Sequence, residues 1–154
     1  MRTFLLLTTV LGLAFSLPTE PAAAPAPAPA APQQVHLVFH AAPVQYDLTI
    51  PADGKFHTTK NGLNVNLIDA PDFNIDQCEF KTAGPATYVW QTTPSVYDWQ
   101  ISQYAVGPPQ PIQGVTCHGR CLGVYSTCYE NGTYLGSCCN GYCAANKCRP
   151  YRYF

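Results

Sequence analysis

The sequence predicts a mostly β protein, in which a small antiparallel sandwich or barrel-like domain is followed by a disulfide-rich module. Three observations predict it. Apolar residues alternate with period two along several short runs, turn-forming dipeptides separate those runs, and seven of the eight cysteines fall in the last 38 residues. Composition narrows the function. Charged residues make up 11% of the 154-residue chain, where about a quarter is usual. A formal net charge of −1 gives no field that would gather nucleic acid.

Four segments follow one another. Met1-Arg2, the apolar run Thr3–Phe15 and the small residues Ala14 and Ser16 read as a secretory signal peptide over residues 1–16. The run is shorter than the roughly 20 apolar residues of a membrane span. Membrane insertion is therefore not expected, and the mature protein is expected outside the cell. Residues 17–34 (LPTEPAAAPAPAPAAPQQ) hold six of the fifteen prolines and read as a disordered, polyproline-like spacer.

Residues 35–116 carry the strand pattern. Val35, Leu37, Phe39 and Ala41 share one face, with His36 and His40 on the other. Tyr46, Leu48 and Ile50 alternate with Gln45, Asp47 and Thr49, and Leu63, Val65 and Leu67 alternate with Asn64 and Asn66. Pro51-Ala52-Asp53-Gly54 reads as a tight turn and Asn61-Gly62 as a hairpin. Gly84-Pro85 separates strands at Cys78–Thr82 and Ala86–Gln91. A longer strand is expected over Tyr97–Val106, broken by Gly107-Pro108-Pro109-Gln110-Pro111 before a closing strand at Gln113–Cys117. Cys78 lies on the face of Phe80, and Cys117 on the face of Val115. Both faces point inward, which predicts a buried Cys78–Cys117 disulfide worth roughly 3–4 kcal/mol in the chain-entropy model.

Catalysis is not expected, and neither is a cofactor or metal. His36 and His40 share a strand face about 13 Å apart, too far to chelate one ion. Asp69, Asp72 and Asp76 flank Pro71 in what reads as a loop of solvated carboxylates. They lack the glycine and closing glutamate of an EF-hand. No nucleophile elbow, His-Glu-x-x-His or phosphate-cradling loop is present.

Residues 117–154 form the cysteine cluster. A segment this short cannot offset its conformational entropy without staples. A zinc site built on Cys117-His118-Gly119-Arg120-Cys121 belongs to a reducing compartment, which the signal peptide argues against. Eight cysteines allow 105 pairings from sequence alone. Residues 35–116 carry seven acids and three bases, whereas residues 117–154 carry four bases and one acid. The last segment also holds seven aromatic residues. Exposed Tyr and Arg together mark binding surfaces, so Tyr142, Lys147, Arg149, Tyr151 and Arg152 are the candidate contact residues. Asn131-Gly132-Thr133 is the N-glycosylation sequon, in a loop that should be exposed.

From Cys121 the spacing is Cys-x6-Cys-x9-Cys-Cys-x3-Cys-x4-Cys. With the vicinal Cys138-Cys139 pair and the tight Asn140-Gly141-Tyr142 loop, these residues resemble the inhibitor cystine knot, or knottin, over about 28 residues. The resemblance implies the bridges Cys121–Cys139, Cys128–Cys143 and Cys138–Cys148. The whole arrangement of leader, Pro-Ala spacer, β domain and cysteine cluster resembles small secreted cysteine-rich, effector-like proteins of filamentous ascomycete fungi. That resemblance implies a non-catalytic binder of a host or competing microbial target. Two alternatives come from shorter stretches. Cys148-Arg149-Pro150-Tyr151 is similar to the protruding tail of potato-type carboxypeptidase inhibitors, although here the tail runs on to Arg152-Tyr153-Phe154. Ser137–Cys143 is similar to hevein-type chitin-binding modules, with three residues after the vicinal pair where that family has five. These imply a peptidase or a cell-wall polysaccharide as partner.

Overall fold

The computed structural model of the protein describes residues 30–95 and 99–152. The signal peptide assigned to residues 1–16, most of the 17–34 spacer, Tyr97, Tyr153 and Phe154 lie outside the described residues. From Ala31 onward the chain forms one compact unit.

Eight antiparallel strands build two sheets over one core. β1 (Gln34–Ala41) and β2 (Val44–Pro51) form a hairpin, followed by the short β3 (His57–Thr58) and β4 (Val65–Ala70). β5 (Cys78–Thr82), β6 (Thr87–Pro94), β7 (Gln100–Gln110) and β8 (Ile112–Cys117) complete the set. The larger sheet runs β2-β1-β4-β7-β6 and the smaller β3-β8-β5. A 3-10 turn at Ile75–Gln77 is the one helical element among the described residues. The alternating residues Val35, Leu37 and Phe39 are fully buried, against Ile112, Val115 and Cys117 from the other sheet. Phe80 joins the layers, meeting Phe39 edge-on at 6.3 Å and Tyr104 at 6.1 Å. Such pairs add to area burial when the rings meet edge to face.

Four features differ from the sequence reading, each for a local reason. Asn61-Gly62 does not turn a hairpin, because its flanking strands join different sheets: β3 pairs with β8, and β4 with β1 and β7. Instead Asn61 Oδ1 accepts the Leu63 amide at 2.9 Å and redirects the chain. In β4 a register shift between Val65 and Leu67 changes the inward phase. Val65, Ile68 and Ala70 are fully buried, while Leu63 is exposed and Leu67 only half-buried. Gly107-Pro108-Pro109-Gln110 does not break β7. The β6 ladder ends at Gly107, and Pro108 and Pro109 fall in the stretch between the Ala105 and Gln110 pairings to β4. No ladder donor is required there. Finally, Asp69 is a β4 residue rather than a solvated loop carboxylate, since both its oxygens are hydrogen-bonded.

The end of the proline-rich segment is held. Gln33 offers its carbonyl to the Ala52 amide at 2.7 Å and its Oε1 to the Cys121 amide at 3.0 Å.

Cys78 and Cys117 face each other in register on β5 and β8 and are joined by a disulfide. Replacing both by alanine should lower the unfolding free energy by about 4 kcal/mol in the loop-entropy model, read from urea denaturation of the purified protein. A second test concerns the turn after β2. The His57 ring nitrogen at 3.0 Å, followed by the Lys55 amide, holds the Asp53 carboxyl below its ordinary pKa. Its stabilising contribution is therefore present above about pH 4 and is lost as pH falls through the folded value. Asp53→Asn should lower the urea midpoint at pH 7 and leave it unchanged near pH 2.

Candidate functional site

All eight cysteines are bridged. Beyond Cys78–Cys117, the bridges are Cys121–Cys139, Cys128–Cys143 and Cys138–Cys148. These are the same three pairs that the resemblance to the cystine knot implied. Sγ atoms of Cys128, Cys138 and Cys148 lie within 4.8 Å of one another, but each is committed to a bridge, so no thiolate remains to ligate a metal. The bridges divide between two cores. Cys121 and Cys139 pack with the sandwich, whereas Cys128, Cys138 and Cys148 form a separate small cluster with Leu122 and Cys143.

Besides the packing of Cys121 and Cys139, a polar link joins this cysteine-rich head to the sandwich. Asn140 is buried between Cys139 and Gly141, and its Nδ2 donates to the carbonyls of Ala70 (2.9 Å), Pro71 (3.2 Å) and Phe73 (3.2 Å). Its Oδ1 accepts the Ser102 amide at 2.9 Å, and its own amide donates to Asn74 Oδ1 at 2.9 Å. One side chain thus satisfies backbone groups from the β4 exit, the loop beyond it and β7. Asn140 has φ +48°, a left-handed conformation that asparagine tolerates better than most residues. The next position must be glycine, because a Cβ on Gly141 would lie 2.3 Å from the Arg149 carbonyl oxygen. That close approach lets β11 (Gly141–Ala144) pair with β12 (Lys147–Pro150).

Of the five predicted contact residues, the fold gathers four. Tyr142, Arg149, Tyr151 and Arg152 line a cleft of about 350 Å³ together with Tyr125, Ala144 and Pro150. The Tyr142 and Tyr151 rings stand 5.6 Å apart, and the Arg149 guanidinium lies 5.6 Å from the Tyr125 ring, within cation–π range. Lys147 is not part of the cleft, since its ammonium donates to Thr127 Oγ1 at 2.8 Å. The tail does not project at Tyr151. Pro150 is buried, the Tyr151 amide donates to the Asn140 carbonyl, and the Tyr151 carbonyl accepts the Gln100 amide at 2.8 Å. Arg152 bridges to Trp99.

A second cleft, of about 330 Å³, also has Tyr142 and Tyr151 in its lining, together with Trp90 of β6 and Tyr134. Sequence reasoning missed Trp90 and Asn140 as site residues. Alternation put Trp90 in a strand, and nothing in the spacing told a tight-loop asparagine from a structural rivet. Asn131 and Gly132, both with positive φ, form the exposed tip between β9 (Tyr129–Glu130) and β10 (Thr133–Tyr134). The histidines fall elsewhere. His36 lies 3.8 Å from Asp47, and His40 is bonded to Asp69 at 2.9 Å. Asp69 also accepts Gln103, which accepts Gln91 in turn.

No protein-family model, curated protein or solved structure matches this chain.

Asn140 offers the sharpest test of how the clefts are held. Asn140→Ala removes the partner of four backbone groups, three of them in buried bonds, and should cost about 3 kcal/mol or more. Asn140→Asp places a carboxylate among three carbonyl oxygens, which raises its pKa in the folded state. Its deficit against wild type should be largest above about pH 4 and shrink as the solution is acidified. Urea unfolding at pH 7 and pH 3 reads both variants.

Proposed function

We propose that this chain is a secreted, non-enzymatic binding protein, effector-like in kind, whose knottin-like head engages an acidic surface of a host or competing microbial protein. The observation that carries this reading is the cleft in which Arg149 and Arg152 meet Tyr125, Tyr142 and Tyr151 with no acidic residue in its lining. Guanidinium groups on an aromatic floor suit planar, bidentate recognition of carboxylates. Charge complementarity then steers association and fixes register. Complete bridging of the cysteines supports an oxidising compartment. No helix of the described residues is long and apolar enough to cross a membrane. The first-to-fourth, second-to-fifth and third-to-sixth order of the last six cysteines supports the knottin likeness. Preorganisation by these staples lowers the ordering cost of association. A carboxypeptidase-inhibitor reading needs a projecting tail, and the hydrogen bonds that tie Tyr151 to Asn140 and Gln100 favour the surface instead.

The test uses fluorescent Glu/Tyr peptides and their Gln/Tyr counterparts, with anisotropy measured at low and high salt. The acidic peptides should bind more tightly and weaken as salt rises. Arg149→Ala with Arg152→Ala should reduce that affinity about tenfold. Equal binding of acidic and neutral peptides by the wild type would refute the reading.

A further inference from the structure

We infer that the cleft between β6 and the cysteine-rich head, bounded by Trp90, Tyr134, Tyr142 and Tyr151, binds a neutral oligosaccharide of flat, equatorially substituted sugar rings. It shares only Tyr142 and Tyr151 with the arginine-bearing cleft and stands on separate observations.

The first observation is the placement of Trp90. It pairs with Tyr104, as Thr92 pairs with Ser102 and Tyr88 with Val106. Directly opposed residues of antiparallel strands lie on the same face of the sheet. Tyr88 and Tyr104 pack on the core from this inner face, and Ser102 and Val106 are buried on it. Trp90 belongs to the same face but is 58% exposed. The smaller sheet does not reach it. Over Ser102, Asn140 of the head takes the place of a facing strand, and the gap beside that contact is the cleft. An inward-facing indole left open at a layer junction is a ring available for stacking.

The second observation is the wall opposite. Tyr134, Tyr142 and Tyr151 are 52%, 50% and 47% exposed. Tyr134 is braced by Tyr129 at 5.0 Å and Tyr142 by Tyr151 at 5.6 Å. Tyr129, Tyr134 and Tyr142 sit on hairpins tied by disulfides and Tyr151 is held by backbone bonds to Asn140 and Gln100, so little ordering remains for a ligand to impose.

The third is the chemistry between the rings. Asn74, Asp76, Thr92, Gln100 and Ser137 supply amide, hydroxyl and carboxylate groups, and no Lys, Arg or His lines the cleft. An anionic ligand would meet Asp76 with no countercharge. A wholly apolar ligand would strip water from these groups without replacing its hydrogen bonds. A pyranose with equatorial hydroxyls answers both constraints. Its axial C–H bonds form two apolar faces for the rings, and its rim of hydroxyls gives and accepts hydrogen bonds. The cleft volume lies at the small end of the range for ligand pockets, which suits a short stretch of chain.

The test is isothermal titration of the full secreted protein with β-1,4-linked hexamers of glucose and of N-acetylglucosamine, with oligogalacturonate as the anionic control. At least one neutral hexamer should bind, and the control should not. Trp90→Ala and Tyr134→Ala should each weaken binding about tenfold or more, with Trp90→Phe retaining part of it. Arg149→Ala with Arg152→Ala should leave it unchanged. Both rings are half-exposed, so an unchanged thermal midpoint verifies folding of the variants. Absence of binding by both neutral hexamers, preference for oligogalacturonate, or binding indifferent to Trp90 and Tyr134 would each overturn the inference. None of these results depends on the acidic-peptide measurement, so the two sites fail or stand separately.

Discussion

Among the side chains that position the cysteine-rich head, one buried amide makes the most bonds. Asn140 carries the polar connection that a third sheet or a larger apolar interface would otherwise provide. An amide suits this task because it gives two donors and one acceptor with no charge to desolvate. A carboxylate could not donate, and an ammonium could not accept. The accepting carbonyls belong to Ala70, the last residue of β4, and to Pro71 and Phe73 in the segment between β4 and the 3-10 turn. The head therefore completes the hydrogen bonding of the sandwich. The sandwich in turn orients the hairpin that bears Tyr142.

Disulfides act at a different level from this clamp. The Cys78–Cys117 bridge joins neighbouring strands within the smaller sheet, and Cys121–Cys139 belongs to the same apolar cluster. Only the bridges from Cys128 and Cys138 maintain an independent sulfur-rich centre. The head thus has almost no apolar interior, which is why its tyrosines stand outward in pairs. A sandwich of this size has a modest core, so covalent constraint on the unfolded chain matters in both parts.

Much of the β region was legible in the sequence, because period-two alternation reports directly on which residues a sheet can bury. It read β1 and β2 well, and the inward phase of Cys78 and Cys117 named their bridge. It failed where the register shifts. Between Val65 and Leu67 the pairing slips, with the extra residues on β7, and burial passes from Leu67 to Ile68, a change that alternation within β4 does not mark. Two of the three Asn-Gly dipeptides have opposite outcomes. Asn131-Gly132 closes a hairpin between strands that pair with each other, whereas Asn61-Gly62 connects strands that belong to different sheets. Local turn chemistry is the same, and tertiary pairing decides. The arginine-bearing cleft was partly legible as a composition of Tyr and Arg near the last cysteine. The Trp90 cleft was not, since it exists only where a sheet edge, a loop and the head converge.

The bridge pattern also determines what a protease can accomplish. Loops closed by Cys78–Cys117, Cys121–Cys139, Cys128–Cys143 and Cys138–Cys148 overlap or abut along nearly the whole span from Cys78 to Cys148. A single peptide cut inside any of them leaves the two fragments covalently tethered. His118-Gly119-Arg120 is the one stretch in that span outside every loop, and it is exposed. Arg120 gives trypsin-like enzymes a site there. Scission after it would sever the last covalent path between head and sandwich, leaving noncovalent contacts, Asn140 foremost, to keep them together.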